Sequence, residues 1–467
     1  MTKQKVETAP DLKLRAKDIE AVAGELERYF EIYSPLFHRR EAREAGLVYL
    51  RGLLSDLPRK SVEPIALELL GSEASPVRVL QQFLSIGAWQ DEPILRQHWQ
   101  QVDAMLGEAD GVLIVDGSDF PKQGKQSVGV KRQHCGELGK RANCQAGVFL
   151  GYASKRGYTL LDRRLYLPED WVRSEAFAAR RKRCGVPEDH PFKTKQELAA
   201  EMIEAVVEDS HLRCRWVTAD EAFGHDTAFV DRVAKAGLWY FAEVQHSDRV
   251  WLRRPEVVPP NWEGWGVKSG PKQTRPRLAP GAQQAQTVKA IADEMPVHRW
   301  KRLVIKEGSK GPMEADFVAV RAVGVRGGLP GPDVWLVLRR SVSEGELKAY
   351  VSNAPARTRV ETFARQSGMR WPIETSFEDG KQRLGMGDYE VRGWKGWHHH
   401  QTLVILAHAF LVRLRLQLGK KGARADAAAG AADPERRPAA ARAKGTGRAR
   451  PSRLHSTAQS RRLPLPS

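Results

Sequence analysis

Arg370-Trp-Pro-Ile-Glu374-Thr-Ser-Phe-Glu378-Asp-Gly-Lys381 is the stretch around which the rest of this chain falls into place. Pro372 suits the first position of a helix, where its missing N–H would have had no partner. Glu374, Glu378 and Lys381 follow at helical spacing and, at about 100° per residue, share an arc of about 60° on one face. Ile373 and Phe377, four apart, form an adjoining apolar stripe able to dock the helix on a core. Glu374 falls in the first turn, where the macrodipole favours an anion. Alone, this spacing equally describes a solvated face carrying charge pairs. Two aspartates elsewhere in the chain give the glutamate something to meet.

The first is Asp116. Residues 112–115 (Val-Leu-Ile-Val) read as a strand buried on both faces, ended by Asp116 and followed by a loop over 117–125. Strand alternation over 127–133 and apolar runs at 144–153 and 158–167 complete a meander, and 169–209 reads as polar helix. The second is Asp220. Residues 215–219 run into it, with a helix expected over about 226–236 and a strand over 238–244. Strand, acid, helix, strand is an α/β unit, with Asp220 at the carboxyl end, where such sheets carry their sites.

Residues 245–350 break this rhythm. They are rich in turn residues and basic, with strands expected at 300–305, 316–323 and 334–339, a β-rich insertion. A short segment at 360–363 leads to the Glu374 helix, and 401–414 reads as a strongly apolar closing helix. From Gly419 on, Ala, Arg, Pro and Gly dominate without periodicity, as in a disordered tail. At the other end, 17–105 reads as all-helical: Ile19, Val22, Leu26, Tyr29 and Phe30 recur at helical spacing, and Ser61 is placed to cap a further helix. Trp371, Trp394 and Trp397 suit core packing better than stacking on an unpaired base. His398, His399 and His400 cannot all face one site on a helix and read as a solvated stretch.

Composition narrows the class. The chain has 467 residues, 41% hydrophobic and 28% charged, as in a globular protein of several structural units. No apolar run approaches the roughly 18 residues of a membrane span, and the N-terminus has no secretory h-region, so a cytoplasmic protein is expected. Cys135, Cys144, Cys184 and Cys214 form no CxxC pair, which argues against a zinc ribbon or a disulfide framework. His134-Cys135 near Cys144 lacks the usual zinc-ligand spacing. Gly124, Gly129, Gly136 and Gly139 form no phosphate-binding loop opening a helix. Net charge is +18, half of it in residues 419–467, which hold 12 Lys+Arg against 3 Asp+Glu. A polyanionic partner, nucleic acid above all, is the natural inference.

Asp116, Asp220 and Glu374 lie 104 and 154 residues apart, so no local motif joins them. Two strand ends and a helix can nevertheless converge in a folded sheet, and a divalent cation relieves the repulsion of converging carboxylates. Hard oxygen ligands on a basic protein point to Mg²⁺ or Mn²⁺. Two such ions, about 3.5–4 Å apart, can activate a water or a 3′-hydroxyl. The plainer alternative is that strand-end aspartates cap loops.

The order strand-Asp116, β-meander, strand-Asp220-Glu-Ala-Phe-Gly, β insertion, Arg370-x3-Glu374-x6-Lys381 resembles the DDE transposases of bacterial insertion sequences, in the group with a Tyr-x2-Arg-x3-Glu-x6-Lys signature. Asp116-Gly-Ser-Asp-Phe-Pro-Lys-Gln-Gly-Lys-Gln-Ser-Val-Gly-Val and the following Cys-Gly-x-Leu-Gly-Lys are most similar to insertion-sequence family seven hundred and one. The resemblance spans roughly residues 20–415. It implies an α/β fold: an RNase H-like catalytic core interrupted by a β-rich insertion, with an N-terminal all-helical domain. The units would be 1–105 (helical, DNA-binding), 106–245 (first part of the core), 246–350 (insertion), 351–418 (second part, with the glutamate helix) and 419–467 (disordered basic tail).

By the same resemblance Asp116, Asp220 and Glu374 are catalytic and hold Mg²⁺ or Mn²⁺. Arg370 and Lys381 hold DNA phosphate, and Lys122 and Lys125 contact DNA beside them. The implied function is cutting of insertion-sequence ends and joining of the 3′-hydroxyl to target DNA, by a homodimer on terminal inverted repeats in a bacterial cytoplasm, at the nucleoid and away from any membrane. Ser367 stands at the signature tyrosine position, and Phe223 where many relatives have tyrosine. Asp119 is a rival for Asp116, and Glu378 for Glu374. Other readings are a non-catalytic, transposase-derived DNA-binding regulator and a nuclease of the same fold without joining activity.

Overall fold

The computed structural model describes residues 16–71, 74–260, 275–308 and 311–431. Residues 1–416 form one compact unit and 417–467 a second, of which the helical stretch to Ala431 is described. The first unit is built on a sheet. Strand β1 (Val112–Pro121) lies between β3 (Lys140–Ser154), antiparallel to it, and β5 (Trp216–Ala219), parallel to it. Beyond β3 lie β2 (Lys131–Cys135) and β4 (Gly157–Tyr166), and beyond β5 lies the parallel strand β6 (Trp239–Val244). The core order is therefore β4-β3-β1-β5-β6. The burial of Val112, Leu113, Ile114 and Val115 matches a strand covered on both faces.

The β-rich segment continues this sheet. Its strands are β7 (Arg249–Trp251), β8 (Val257–Val258), β9 (Arg277–Leu278), β10 (Gln286–Thr287), β11 (Lys301–Gly308), β12 (Gly311–Arg326), β13 (Leu329–Ser341) and β14 (Leu347–Ser352). β14 pairs antiparallel with β6, then β13, β12 and β7 follow in order, so twelve described strands share one sheet; β8 and β9 pair with each other. The insertion thereby forms a wall directly beside the carboxyl ends of β5 and β6.

Helices cover the sheet. The glutamate helix, Trp371–Arg383, packs through Ile373 and Phe377, both buried, with the Phe377 ring 5.4 Å from Phe149 of β3. Gly151 of β3 lets it come close, since a Cβ there would lie 3.4 Å from Ile373. Burying such side chains stabilises the docking by about 1.5–3 kcal/mol each. The N-terminal helices share the core's apolar interior: Tyr29 donates to the Leu406 carbonyl (3.0 Å) and Trp99 to that of Leu161 (3.2 Å).

Several expectations need correction. Asp116 does not end its strand: β1 runs on to Pro121, because β3 keeps pairing with it as far as Pro121↔Cys144. What ends beside Asp116 is the parallel pairing with β5, at Val115↔Ala219, which opens a notch there. Pro372 is the second helical residue, after Trp371. The alternation read at 127–133 forms a strand only from Lys131. His398, His399 and His400 are buried, not solvated, within the closing helix Trp394–Ala431. They meet separate partners: His400 Nδ1 lies 2.9 Å from the Tyr49 hydroxyl and His398 Nδ1 2.9 Å from the Trp394 carbonyl. Trp397 is buried, as core packing requires, but Trp371 is half exposed.

That closing helix also passes a length-and-composition test for a membrane span over Trp394–Leu418, yet 61% of the window is buried within the protein. The tail read as disordered from Gly419 is helical to Ala431, where alanines of high helix propensity replace an amphipathic pattern. The rest of that tail, and residues 1–15, lie outside the described residues.

Candidate active site

The sheet register brings the two aspartates together. Val115 pairs with Ala219, so Asp116 and Asp220 come next on neighbouring parallel strands, about 4.8 Å apart in the sheet. Ala219 in turn pairs with Ala242, which extends the acidic row to Glu243 on β6. Asp220 also caps a short helix (Glu221–Gly224), its Oδ1 accepting from the Phe223 N–H at 3.3 Å. That helix sits tight on β6: a Cβ on Gly224 would fall on the Glu243 carbonyl oxygen. The glutamate helix supplies Glu374 from above.

The three acids surround one guanidinium. Arg370 Nη2 donates to Glu374 Oε1 at 2.8 Å, and Nη1 lies 3.7 Å from both Asp116 Oδ2 and Asp220 Oδ2. Burial pushes the Asp116 carboxyl up to about 6, Asp220 beside it pushes the same way, and Arg370 opposes both. Asp220 is also raised, chiefly by burial, again against Arg370. A single cation thus offsets the repulsion only in part. Among the described residues no three Asp, Glu, His or Cys side chains form a ready-made metal cage. The donors nevertheless fit a divalent cation by chemistry: hard carboxylate oxygens on separate rigid elements, gathered around one guanidinium that offsets their charge only in part.

The rival acids lie elsewhere in the network. Asp119 Oδ2 accepts from the Gly136 N–H at 2.7 Å and secures the β2–β3 connection, while Glu378 accepts from Gln382 at 3.2 Å. Lys381 is not with the carboxylates: it pairs with Glu137 and lies 5.7 Å from the Phe120 ring centre. Lys122 is engaged too. Its ammonium sits 3.6 Å over the Tyr389 ring and donates to the Tyr389 carbonyl at 3.2 Å, and burial lowers its pKa to about 8. Lys125 is exposed. Ser367, at the signature tyrosine position, donates to Ala364 O and lines the cavity beside the acids; Phe223 is buried.

Sequence reading missed Glu243, which pairs with Lys348 of β14 at 3.1 Å. An acid near the end of the apolar run 239–244 was the available signal. It also gave no hint of Arg370 amid all three acids.

Two aspartates where the parallel pairing of β1 and β5 ends, joined by a glutamate from a helix, make one carboxylate cluster around Arg370. The family model of the DDE superfamily endonucleases matches residues 33–312, and the chain belongs to that family. The match covers Asp116 and Asp220 and ends short of Glu374, whose place rests on the geometry above. Endonucleases of this superfamily generally use divalent metal ions. The chain is 25% identical over 240 residues to a probable transposase for insertion sequence element IS701 from Microchaete diplosiphon, covering 50% of this chain and 56% of that protein. It thus spans little more than half the length of that relative. A solved structure, the piggyBac transposase synaptic complex with hairpin DNA, covers 88% of this chain and 70% of its own at 10% identity, with a TM-score of 0.37, too loose a likeness to argue from.

Proposed function

We propose that the chain is a DNA transposase that cuts the ends of an insertion element and joins the freed 3′-hydroxyl to target DNA, with Mg²⁺ or Mn²⁺ held by Asp116, Asp220 and Glu374. One observation carries the reading: three carboxylates, 104 and 154 residues apart, converge on one guanidinium where the parallel pairing of β1 and β5 ends. When bound, the metal supplies an activated water or 3′-hydroxyl and stabilises charge developing on the phosphate. The chain's own part is preorganisation: β1 and β5 fix the aspartates by register, and Ile373 and Phe377 fix the glutamate. Arg370 is freed from the acids to hold a backbone phosphate, and Lys381 is recruited from Glu137 to do the same, tasks suited to their charge. Lys125 adds an exposed cation, whereas Lys122 acts mainly by holding Tyr389. Residues 1–105 carry 14 Lys+Arg against 16 Asp+Glu, so their contact with duplex would rest on local arginines such as Arg39 and Arg40. The active species is a homodimer on paired element ends, in the cytoplasm at the nucleoid.

The test is strand transfer. The protein, a precut element end with a free 3′-hydroxyl and a supercoiled plasmid target should give joined product with Mg²⁺ or Mn²⁺. Cutting of uncut ends without joining would reduce the protein to a nuclease. Specific binding with neither reaction would make it a regulator.

A further inference from the structure

Beside the carboxylates a cavity of about 240 Å³ opens between core and insertion. Its wall carries Lys306 of β11, Arg339 of β13 and Lys348 of β14, and its floor carries Thr218 of β5, two residues before Asp220 and on the same face of the strand. Arg339 and Lys348 are direct cross-strand partners. Like charges so placed destabilise a sheet unless an anion lies between them. Glu243 answers only in part, pairing with Lys348 at 3.1 Å. The insertion wall leaves three cations, Lys306, Arg339 and Lys348, against Glu243; Arg370 and Glu374 also line the cavity, but that guanidinium is already matched by the three carboxylates. Two buried side-chain atoms on it lack hydrogen-bond partners, the Thr218 hydroxyl oxygen and Gln366 Oε1.

We infer that this cavity is an anion subsite that receives one phosphodiester group of the DNA strand passing the carboxylates, held by Arg339, Lys348 and Lys306 with the Thr218 hydroxyl donating. Unmatched positive charge calls for an anion, and the unused hydroxyl calls for an acceptor oxygen. The volume is below the roughly 300–1,000 Å³ of sites for drug-sized ligands, so it takes a single backbone group and not a duplex. The subsite makes the insertion part of the reaction centre. It rests on the proposed action on DNA, and it adds residues that the three-carboxylate reading does not need.

The experiment compares full-length wild type, the double variant Arg339→Gln/Lys348→Gln, and Lys348→Arg. Binding of a fluorescein-labelled duplex carrying the element end is followed by anisotropy across a salt series in Ca²⁺. The double variant should bind about fivefold or more weakly, and its slope of log K against log salt should fall by about 0.9, the loss of one phosphate contact. Lys348→Arg should keep the wild-type slope. The slope separates the roles: if Lys348 only pairs Glu243 and Arg339 only bonds Tyr350, the double variant should melt lower with an unchanged slope. Wild-type affinity and slope in the double variant would overturn the subsite and leave the transposase reading standing. No DNA binding by wild type would overturn both. If inorganic pyrophosphate raises the melting temperature of wild type but not of the double variant, while the DNA slope is unchanged, the cavity serves free phosphate and its assignment to a strand is wrong.

Discussion

Replacing Arg370 by glutamine should separate metal binding from catalysis. In the metal-free protein the guanidinium sits 2.8 Å from Glu374 and 3.7 Å from Asp116 and Asp220, so an incoming divalent ion meets a positive charge already paired with its ligands. A single and a double charge about 4 Å apart repel by about 2 kcal/mol even at the dielectric of water. That corresponds to about a 30-fold change in affinity. Arg370→Gln should therefore bind Mn²⁺ about 30-fold more tightly than wild type in the absence of DNA, measured by isothermal titration calorimetry. Arg370→Lys, which keeps a cation, should stay near wild type. Cleavage by the glutamine variant should still collapse, since the phosphate loses its anchor. Equal or weaker Mn²⁺ affinity in a folded Arg370→Gln protein would refute the competition between guanidinium and metal.

Asp116→Asn should stabilise the metal-free protein while abolishing cutting. A carboxyl raised from 3.8 to about 6 contributes stability below pH 3.8 that is lost as pH rises through 6, which bounds the gain at neutral pH at about 3 kcal/mol, readable by urea denaturation. Gly224→Ala should cost on the order of 2 kcal/mol or more and lower cleavage with it, because the new methyl meets the Glu243 backbone and shifts the helix capped by Asp220; an unchanged melting temperature would contradict this packing. Burial lowers His398 and His400 to about 3 and His408 to about 4. The unfolded chain binds protons first, so stability present above pH 6.5 should fall on acidification towards pH 4, by up to about 1.4 kcal/mol per histidine per pH unit. Urea midpoints at pH 7.5 and 5.5 check the sign.

How far the sequence reaches depends on the range of the interaction. The 112–115 run, the 215–219 run and the Ile373/Phe377 stripe are local patterns, and they lead to the strands and the helix that carry Asp116, Asp220 and Glu374. The extension of β1 to Pro121 depends on how far β3 pairs alongside it, which no local pattern encodes. His398, His399 and His400 look solvated because three successive polar residues break any apolar stripe; His399 and His400 are met by the Leu84 carbonyl and the Tyr49 hydroxyl from far along the chain, and His398 by the Trp394 carbonyl of its own helix. The pairing of β14 with β6, which sets Arg339 and Lys348 beside the acids, likewise joins strands about a hundred residues apart. The resemblance implied that Arg370 and Lys381 would hold phosphate together. Arg370 instead lies among the carboxylates and Lys381 turns to Glu137, because each takes the nearest acid that the fold presents.

If Asp116, Asp220 and Glu374 form one metal-dependent centre for cutting DNA, cleavage of a duplex carrying the element end in Mg²⁺ will show it when wild type is compared with Asp220→Ala and Glu374→Ala. Wild type should cut at the end, while both variants bind the duplex and leave it intact. Variants that cut as well as wild type would place the reaction elsewhere in the protein.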